Sequence, residues 1–534
     1  MKLLYWMACN HSRHASIANQ SSLIARATLR FVATTANQID DQNNKNVNAK
    51  PLTDMPGPKG LPFIGNLWTI LKNNRYYQNR SHELLSIYHA KYGPIYKCRL
   101  GSIAFVYITK PEDIAKVFKV EGKYPNRGLI LPFLIYREQR KKPKGILVGI
   151  SEDWRLSRSI MDKKLLKLKD IKAYDNRLNE VTTDFIHYIK RRRIEDNLNG
   201  EIINLKECLY KWSFESINTV IYNKRLGALN DPPIPIAKKF YTAVFEMLDR
   251  TGLLRLVPPY YKYIQTKYWK EYCGFWDTLF EIGEELIVEE RARLQNLADS
   301  DHAGQIPQDS HRSENMEFLP YVLSRGELTD EQITTNIIEL MAGGVDTSAN
   351  TITSALYILG KNPDIQENLY QEVKSVIKDR ECLDWDSLQK MSYLRGVLKE
   401  SQRIYPVVQG LSRIIAKDVV LSGYHVPAKT MIITGSYAMA FDKSLYDEPD
   451  KVKPERWIRS SEQKQPPFSF LPFGFGTRMC IGRRIAELEM QILLARLVYE
   501  FRLDTLNTEK IKLINRIVLS PEQAIRIAFH PRNS

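Results

Sequence analysis

The surroundings of one cysteine suit a sulfur that binds a metal. Cys480 lies in the stretch LPFGFGTRMCIGRR (residues 471–484), among glycines, phenylalanines and arginines, and an apolar pattern of helical spacing begins directly after it. A metal binds the thiolate rather than the thiol, and both Arg478 and the N-terminal end of a helix that starts near Gly482 favour the anion. The glycines of the stretch allow the backbone to approach a flat partner closely. The alternative is a buried free cysteine beside a glycine turn.

An acid and a hydroxyl stand side by side in the stretch AGGVDTS. Asp346 and Thr347 fall in the middle of a predicted helix from Thr329 to Gly360, and the letters TDEQ at its start predict a capping box. Two glycines inside a helix cost about 1 kcal/mol each relative to alanine, so they indicate that something approaches the helix closely. A mid-helix acid beside a hydroxyl can relay protons. The alternative is a helix that packs tightly through small residues, with Asp346 in solvent.

Two further groups of residues have spacings that suit buried contacts. Glu400 and Arg403 lie three apart on one face of a predicted helix, and Arg456 in KPERW could complete a buried carboxylate–guanidinium trio. Trp154 and Arg158 in DWRLSR lie one turn apart and offer an indole donor and a cation to a carboxylate-bearing ligand. Taken alone, an acid–base pair on a helix is usually a surface salt bridge that contributes little to stability.

The elements that must position these residues are mostly helices. Residues 92–110 alternate and carry β-branched and aromatic side chains, which predicts a hairpin, and two strand-like pieces, RIIAKDVV and TMIITG, follow Pro406. The pattern from about residue 112 to 405 is mostly helical, and another helix follows Cys480. No repeat and no internal boundary is evident after residue 50. We therefore predict one large domain (51–534) that is mainly α with a minor β portion.

Composition limits the class of protein. The 534 residues are 43% apolar and 26% charged, as in ordinary globular chains. The six cysteines are scattered without a CxxC pair, which argues against a disulfide framework and against a zinc ribbon. The net charge of +16 is spread along the chain rather than collected in one tail, so an acidic protein partner explains it as well as nucleic acid does.

The first residues have the composition of a targeting segment. Residues 1–39 contain no Asp or Glu but several Arg, Ser, Ala and Thr, which is typical of a mitochondrial transit peptide. We assign residues 1–40 to this peptide and 41–50 to a polar linker; a disordered tail is the alternative. No run of 18 apolar residues occurs, so we expect the mature chain to be soluble or attached to a membrane only at its surface.

Taken together, these stretches resemble the cytochrome P450 haem-thiolate monooxygenases, in order and over nearly the whole chain after residue 51. The matching motifs are the haem-binding signature Phe473-x-x-Gly476-x-Arg478-x-Cys480-x-Gly482, the oxygen-activation motif Gly343-Gly344-Val345-Asp346-Thr347, the Glu400/Arg403 pair with Arg456, and the Trp154/Arg158 pair. The resemblance implies the cytochrome P450 fold, a single mainly α fold that binds haem b between the long central helix and the cysteine loop.

The resemblance also implies a role for each residue. Cys480 is the axial thiolate of the haem iron, and Phe473 and Gly482 belong to the loop that binds the haem. Asp346 and Thr347 deliver protons for oxygen activation. The side chains that hold the haem propionates are Trp154, Arg158, Arg413 and Arg478. Glu400, Arg403 and Arg456 stabilise the fold beneath the haem.

A closer resemblance is to the mitochondrial branch of this family, which includes vitamin D and steroid hydroxylases. The stretches that carry it are KWSFES (211–216), YLRGVLKES (393–401) and the cysteine stretch. The chain after Cys480 is too short for flavin domains, so we expect electrons to come from a partner. The resemblance implies a small acidic mitochondrial ferredoxin, served by its reductase. The positions that match its docking site are Arg395, Lys399, Arg483 and Arg484.

The branch further implies a location on the matrix side of the inner membrane. The stretch LLRLVPPYYKYIQTKYWK (253–270) resembles the segment that leans on this membrane and admits lipophilic substrates, although ordinary core packing explains part of it equally well. We expect a steroid, sterol, secosteroid or xenobiotic substrate and no nucleic-acid partner. Two other functions stay open. One is a haem-thiolate isomerase or dehydratase of an oxygenated lipid, which typically lacks the acid–threonine pair. The other is a non-enzymatic haem protein, which needs neither that pair nor docking arginines.

Overall fold

The computed structural model of the chain describes most of the predicted domain. The described residues are 49–61, 64–72, 79–101, 103–128, 130–300, 316–377, 382–458 and 465–532. The predicted transit peptide and most of the predicted linker lie outside them. The described chain forms two compact units, a smaller one from residues 49–55 and 418–427 and a larger one from all the others. Every predicted site residue belongs to the larger unit.

Helices dominate the larger unit, which confirms the prediction of a mainly α fold. In chain order they are α1 (Leu67–Lys72), α2 (Ser81–Tyr92), α3 (Pro111–Lys119), α4 (Leu131–Arg140), α5 (Ser151–Leu165), α6 (Leu168–Lys172), α7 (Asp175–Asp196), α8 (Leu205–Tyr222), α9 (Pro235–Leu254), α10 (Lys267–Ser300), α11 (Phe318–Ser324), α12 (Asp330–Lys361), α13 (Pro363–Val376), α14 (Trp385–Lys390), α15 (Ser392–Ile404), α16 (Ser436–Ala440) and α17 (Arg483–Glu500).

The strands are short and form small antiparallel or mixed sheets. In chain order they are β1 (Ile95–Leu100), β2 (Ile103–Ile108), β3 (Ser412–Ile414), β4 (Val419–Leu421), β5 (Tyr424–Val426), β6 (Met431–Thr434), β7 (Phe501–Thr505), β8 (Leu513–Asn515), β9 (Leu519–Pro521) and β10 (Ile527–Pro531). The main sheet has the order β1-β2-β6-β3, and β7 pairs with β10 and β8 with β9. Ile95 lies opposite Ile108 in the antiparallel β1–β2 pair, which confirms the predicted hairpin. The smaller unit contains the β4–β5 hairpin.

Helix α12 runs through the core of the larger unit. The side chain of Thr329 accepts a hydrogen bond from the backbone N–H of Gln332, and the Gln332 side chain accepts one from the N–H of Thr329. This reciprocal capping confirms the predicted start of the helix. Residues on nearly all faces of α12 are buried, because α8, α10, α15 and α17 pack against it. The acid of the sequence motif, Asp346, is therefore buried, and its neighbour Thr347 is half-buried.

Two more motif-bearing helices, α15 and α17, also lie where the sequence predicts them. Helix α17 begins at Arg483, with Gly482 as its N-cap, and packs against α7, α12 and α13. Helix α15 packs against α12, α17 and the short 3₁₀ turn Pro454–Trp457. The motifs thus meet through packing around α12, although they are far apart in the chain. Among the described residues, no helix is both long and apolar enough to span a bilayer.

Candidate active site

A tight loop presents Cys480 just before α17. The backbone N–H of Cys480 donates to the carbonyl of Phe473 at 2.8 Å, which closes the loop. Gly476 within it has φ of 73°, and a Cβ built at this position would lie 2.8 Å from Oε1 of Glu121. Both the left-handed backbone and the close carboxylate exclude larger residues there. Position 476 thus requires glycine because of its left-handed backbone and because of Glu121, a residue outside the motif.

The electrostatics around the Cys480 thiol differ in part from the sequence expectation. Burial raises the pKa of Cys480, whereas the backbone N–H of Gly482 and the guanidinium groups of Arg127 and Arg158 lower it. Arg478, which the sequence assigned to stabilising the thiolate, has its guanidinium elsewhere. It donates to the carbonyls of Pro125 at 2.8 Å and Gly149 at 2.5 Å. The cations that lower the pKa of Cys480 are thus Arg127 and Arg158, while Arg478 is anchored on backbone carbonyls and its predicted effect on the thiolate stays a prediction.

Four arginines surround the cysteine loop with too few acids to balance them. They are Arg127, Arg158, Arg413 and Arg478, and three of them are also site residues predicted from the sequence. The two carboxylates paired with this set are Glu121, 2.6 Å from Arg413, and Asp162, 2.6 Å from Arg158. Burial and repulsion by the other arginines lower the pKa of Arg478 to about 9 and that of Arg127 to about 10. Arg127 and Arg478 have no carboxylate partner among the described residues, so the cluster suits a ligand with two anionic groups.

The indole of Trp154 adds an unused donor to this cluster. Arg478 stacks on its ring with the guanidinium carbon 3.5 Å from the ring centre. Trp154 is buried, and its Nε1 has no hydrogen-bond partner among the described residues. A buried N–H group without a partner is costly, so it indicates an acceptor from a bound molecule. Arg127 is the member of the site that the sequence analysis missed; its only signal is a cation in the turn PNRG ahead of α4.

Glu400, Arg403 and Arg456 form the buried trio that their spacing suggested. Oε1 of Glu400 accepts from Arg403 at 2.6 Å and from Arg456 at 3.1 Å. The indole N–H of Trp457 donates to Oε2 at 2.8 Å, a fourth member that the sequence analysis did not include. Arg403 also donates to three backbone carbonyls, those of residues 440, 449 and 451. The trio therefore ties α15 to the irregular segment that leads toward the cysteine loop.

The acid–hydroxyl pair on α12 divides into two environments. Oγ1 of Thr347 donates to the carbonyl of Gly343 at 2.8 Å, and open space adjoins Gly343, where a Cβ would meet nothing within 4 Å. Asp346 is buried and accepts a hydrogen bond from Asn350 at 2.9 Å. Burial raises the pKa of Asp346, and the charge of Lys206 opposes the rise. The hydroxyl therefore lies beside free space, while the acid is held in the protein interior.

The second glycine of the motif has a packing role. A Cβ on Gly344 would approach Cγ1 of Ile217 on α8 to 3.0 Å, which is tighter than ordinary contact. Ser213 of the same helix donates to the carbonyl of Gly344 at 3.1 Å. The two alternatives for the glycine pair thus both apply, one to each residue: Gly344 permits close helix packing and Gly343 leaves space.

A buried carboxyl links α12 to α17. Ser348, next to Thr347, donates to Oε1 of Glu489 at 2.5 Å, while Oε2 of Glu489 has no partner among the described residues. Burial raises the pKa of Glu489 to about 8. Near neutral pH the carboxyl is therefore protonated in the folded chain. This contact fixes the position of the Thr347 turn relative to the helix that follows Cys480.

Replacing Glu489 with glutamine should stabilise the fold at alkaline pH. The folded chain holds the Glu489 proton between the ordinary pKa of 4.5 and about 8, whereas the unfolded chain has released it. Unfolding then releases a proton, so the free energy of unfolding falls as pH rises through this window. Thermal unfolding measured across that pH range should show that the free energy of unfolding falls less steeply with pH for Glu489→Gln than for the wild type. The control is Glu487→Gln, which replaces a partly exposed carboxylate on the same helix and should leave the slope of unfolding free energy against pH as in the wild type. Equal slopes for the wild type and both variants would contradict the raised pKa of Glu489.

Three of the four predicted docking cations lie together on the surface near Cys480. Burial lowers the pKa of Lys399, and the charges of Arg395 and Arg483 lower it further, while Glu487 raises it. Arg483 also forms an ion pair with Glu487 at 3.0 Å. Arg484 is partly exposed and makes no ion pair with any residue that the structure describes. The helices α15 and α17 therefore join these cations into one positive surface.

The sequence profile of the family described as Cytochrome P450 matches residues 55–529. The chain belongs to the cytochrome P450 family. Similar P450 proteins include the mitochondrial 1,25-dihydroxyvitamin D(3) 24-hydroxylase of Mus musculus, 32% identical over 482 residues, which are 90% of this chain and 90% of its own length. The mitochondrial cholesterol side-chain cleavage enzyme of Capra hircus is 33% identical over 490 residues (91% and 90%). Cytochrome P450 10 of Lymnaea stagnalis is 32% identical over 488 residues (90% and 86%).

Membership in the P450 family establishes the cofactor and the class of reaction. P450 enzymes contain haem with a cysteine thiolate as axial ligand and act as monooxygenases. The cluster around Cys480 fits haem, which carries two propionates. Among the described residues, Arg127 and Arg478 have no carboxylate partner and the indole N–H of Trp154 has no acceptor. The protein is thus a haem-thiolate oxidoreductase of the P450 family.

Proposed function

We propose that this P450 hydroxylates a lipophilic, sterol-like substrate inside mitochondria, using electrons from a ferredoxin. The observation that carries the proposal is the acid–hydroxyl pair of α12, in which Asp346 is buried and Thr347 is half-buried beside open space. The Ser348–Glu489 hydrogen bond holds this turn against the helix that follows Cys480. An isomerase or a haem carrier does not need the acid–hydroxyl pair. Relatives of the chain are named for reactions on vitamin D and cholesterol, which supports a sterol or secosteroid as the substrate.

The proposed haem ligands follow from the charge of the cluster. Cys480 would bind the iron, and Arg127, Arg158, Arg413, Arg478 and the Trp154 N–H would hold the propionates. Arg478 also stacks on the ring of Trp154, which fixes the orientation of the indole. When bound, haem supplies the one-electron and oxygen chemistry that an amino-acid side chain cannot perform. The protein excludes water, orients the substrate and controls protons.

Proton control is assigned to the hydroxyl of Thr347 and the carboxyl of Asp346. Thr347 has both an acceptor, the carbonyl of Gly343 at 2.8 Å, and adjacent space in which a water or a substrate can lie. Asp346 lies one residue away and keeps a hydrogen bond to Asn350. Because burial raises the pKa of Asp346, its carboxyl can take up and release a proton more readily than a solvated aspartate does.

Changing Thr347 to alanine should separate electron consumption from product formation. The variant keeps the helix but loses the hydroxyl that positions a proton, so reductant should be consumed with much less hydroxylated product. The measurement is the ratio of product to NADPH in a reconstituted assay, with Thr347→Ser as the matched control that restores the hydroxyl. An unchanged ratio in Thr347→Ala would remove Thr347 from proton delivery and weaken the monooxygenase proposal.

The electron donor is proposed from the positive surface of α15 and α17. Arg395, Lys399 and Arg483 lie together near Cys480, and Arg484 follows Arg483 on α17 with partial exposure. An acidic ferredoxin, served by its reductase, would be attracted to these cations. The mitochondrial names of several relatives agree with this type of donor.

Reversing two of these charges should weaken turnover that depends on ferredoxin. Arg483→Glu with Arg484→Glu should raise the ferredoxin concentration needed for half-maximal rate, and the effect should shrink at high ionic strength because salt screens surface charges. The matched control is Lys238→Glu with Lys239→Glu, an adjacent exposed pair on α9. If both double variants behave alike, the positive surface is not the docking site.

A peripheral membrane contact is proposed for the segment between α9 and α10. Tyr263 is 81% exposed and Ile264 60% exposed, and Tyr260 nearby is 45% exposed. Exposed aromatic and aliphatic side chains with neighbouring lysines are typical of surfaces that dip into a membrane interface. We place this contact on the matrix side of the inner membrane. The predicted transit peptide lies outside the described residues and remains a prediction.

A further inference from the structure

A buried carboxylate on α12 holds a turn of the neighbouring chain. Glu339 lies one turn before Gly343 on the same face of the helix, and its side chain is fully buried. Its Oε2 accepts a hydrogen bond from the backbone N–H of Leu147 at 2.7 Å, and its Oε1 accepts one from Arg137 at 3.2 Å. The carboxylate therefore takes part in two contacts, an ion pair with α4 and a hydrogen bond with the turn that follows α4.

The turn formed by residues 145–149 fits this carboxylate closely. The N–H of Gly149 donates to the carbonyl of Gly145 at 2.7 Å and closes the turn. A Cβ built on Gly145 would lie 2.2 Å from Oε2 of Glu339, so a larger residue fits only if the carboxylate moves. The backbone of Gly145 is not in the left-handed region. The requirement for glycine at this position therefore comes from the contact with Glu339.

The opposite side of the turn holds Arg478 of the cysteine loop. Arg478 donates to the carbonyl of Gly149 at 2.5 Å, and its Nη1 lies 3.5 Å from the carbonyl oxygen of Ile146. The turn also packs against Trp154, because a Cβ on Gly149 would lie 3.3 Å from the Cβ of the tryptophan. The guanidinium of Arg478 stacks on the same indole. One turn of backbone thus joins Glu339 to two residues of the proposed propionate site.

Arg478 needs such an anchor because the other cations of its cluster repel it. Burial and repulsion by the three other arginines lower the pKa of Arg478 to about 9. Among the described residues, the acceptors of its guanidinium are three backbone carbonyls, those of Pro125, Ile146 and Gly149. Two of these three belong to the turn. A shift of the turn would remove both acceptors, and repulsion would then move the guanidinium away from the cluster.

A second buried carboxylate shows the same arrangement without this connection. Glu215 on α8 is fully buried and accepts hydrogen bonds from Arg225 at 2.7 Å and from the backbone N–H of Leu226 at 3.2 Å. The three carbonyls that accept from Arg478 all lie outside the turn that Glu215 holds. Glu215 therefore satisfies a local turn, whereas Glu339 satisfies a turn that anchors the propionate site.

We propose that Glu339 is a positioning residue for the haem, because the turn that it holds fixes Arg478 and Trp154 where they meet the propionates. The inference rests on the propionate contacts proposed above and adds a residue of α12 to the site. Arg137 balances the charge of Glu339, so the carboxylate acts through the turn rather than through its own charge. Cations fixed beside the propionates strengthen haem binding. They also favour ferrous iron, since an unbalanced negative charge near the iron stabilises the ferric state.

Two variants that keep the net charge test this role. Gly145→Ala places a methyl group against the Glu339 carboxylate and so displaces the turn. The double variant Glu339→Leu with Arg137→Leu removes the buried ion pair and leaves the Leu147 N–H without its acceptor. If Gly145→Ala does not fold, the double variant carries the test.

Each test variant has a matched control elsewhere in the core. Gly283→Ala on α10 places a methyl group 2.7 Å from Cγ1 of Ile338, so it presses on α12 beside Glu339 without touching the turn. Glu215→Leu with Arg225→Leu removes the other buried pair that holds a turn. The controls reproduce the packing strain and the lost ion pair, but not the connection to Arg478.

The full-length, haem-loaded protein is measured in two ways that do not depend on turnover. One is the rate at which haem transfers to excess apomyoglobin, and the other is the reduction potential of the iron in a spectroelectrochemical titration. Both test variants should lose haem about tenfold faster than the wild type. Their ratio of ferrous to ferric iron at a fixed potential should fall roughly threefold, which is about 28 mV for a one-electron couple at about 59 mV per tenfold. The controls should match the wild type in both measurements.

Two results would overturn the role of Glu339. One is haem loss and a reduction potential like those of the wild type in the test variants. The other is a control that loses haem as fast as its test variant, because the effect would then be a general loss of stability.

The variant Arg478→Gln separates this inference from the proposal on which it rests. If Arg478→Gln speeds haem loss while the test variants do not, only the role of Glu339 fails. If Arg478→Gln changes neither measurement, the proposed propionate contacts fail together with it. Failure of the proposed hydroxylation is seen separately, in the product assay of Thr347→Ala, which neither measurement uses.

Discussion

Replacing Cys480 with alanine is expected to abolish both the thiolate-type Soret band of the reduced, CO-treated protein and all monooxygenase turnover. Cys480 is the cysteine of the haem-binding motif, and the loop that holds it is closed by its own N–H bond to Phe473 at 2.8 Å. A thiolate ligand donates electron density to the iron and so favours cleavage of the O–O bond. No other cysteine among the described residues lies in this loop.

A second variant and a control make this expectation sharper. Cys480→His offers an imidazole, so it should retain haem while losing the thiolate-type band, which separates the ligand role from simple loss of haem. Cys382→Ala removes a cysteine of similar exposure and should keep both band and turnover. Persistence of the thiolate-type band in Cys480→Ala would falsify the assignment of the axial ligand.

Replacing Glu400 with alanine is expected to lower the free energy of unfolding by about 3–5 kcal/mol. The change leaves two buried guanidinium groups, those of Arg403 and Arg456, without their carboxylate. It also removes the acceptor of the Trp457 indole N–H and of the backbone N–H of Lys453. Unpaired buried charges are far more costly than lost surface ion pairs, so the apoprotein should unfold at a markedly lower temperature or fail to accumulate.

An exposed ion pair provides the comparison for this variant. Glu284 on α10 pairs with Lys142 at 2.6 Å, and its side chain is 49% exposed. Glu284→Gln should change the free energy of unfolding by no more than about 0.5 kcal/mol. Chemical denaturation of both variants measures the difference. If Glu400→Ala were as mild as Glu284→Gln, the trio would not be a principal contributor to the stability of this region.

Local sequence patterns predicted the parts of this protein that local physics controls. The capping box at Thr329, the alternation of residues 92–110 and the apolar spacing after Gly482 correspond to α12, the β1–β2 hairpin and α17. Each pattern depends on residues within a few positions of one another, because helix capping and strand alternation are short-range effects. The cysteine motif and the Glu400/Arg403 pair were recognisable for the same reason.

Contacts between distant segments were decided only by the tertiary structure. Arg127, Glu121 and Trp457 join the predicted clusters from elsewhere in the chain, and no spacing rule connects them to Cys480 or Glu400. The direction of the Arg478 side chain was likewise set by carbonyls far away in sequence.

The sequence by itself determined the family and the mainly helical fold, and it predicted the reactive residues. The tertiary structure decided which charges are paired, since a buried charge is balanced by whatever group packing places beside it. Arg127 shows the difference most clearly: in the sequence it is one cation in the turn PNRG, and only the fold brings its charge close enough to lower the pKa of Cys480.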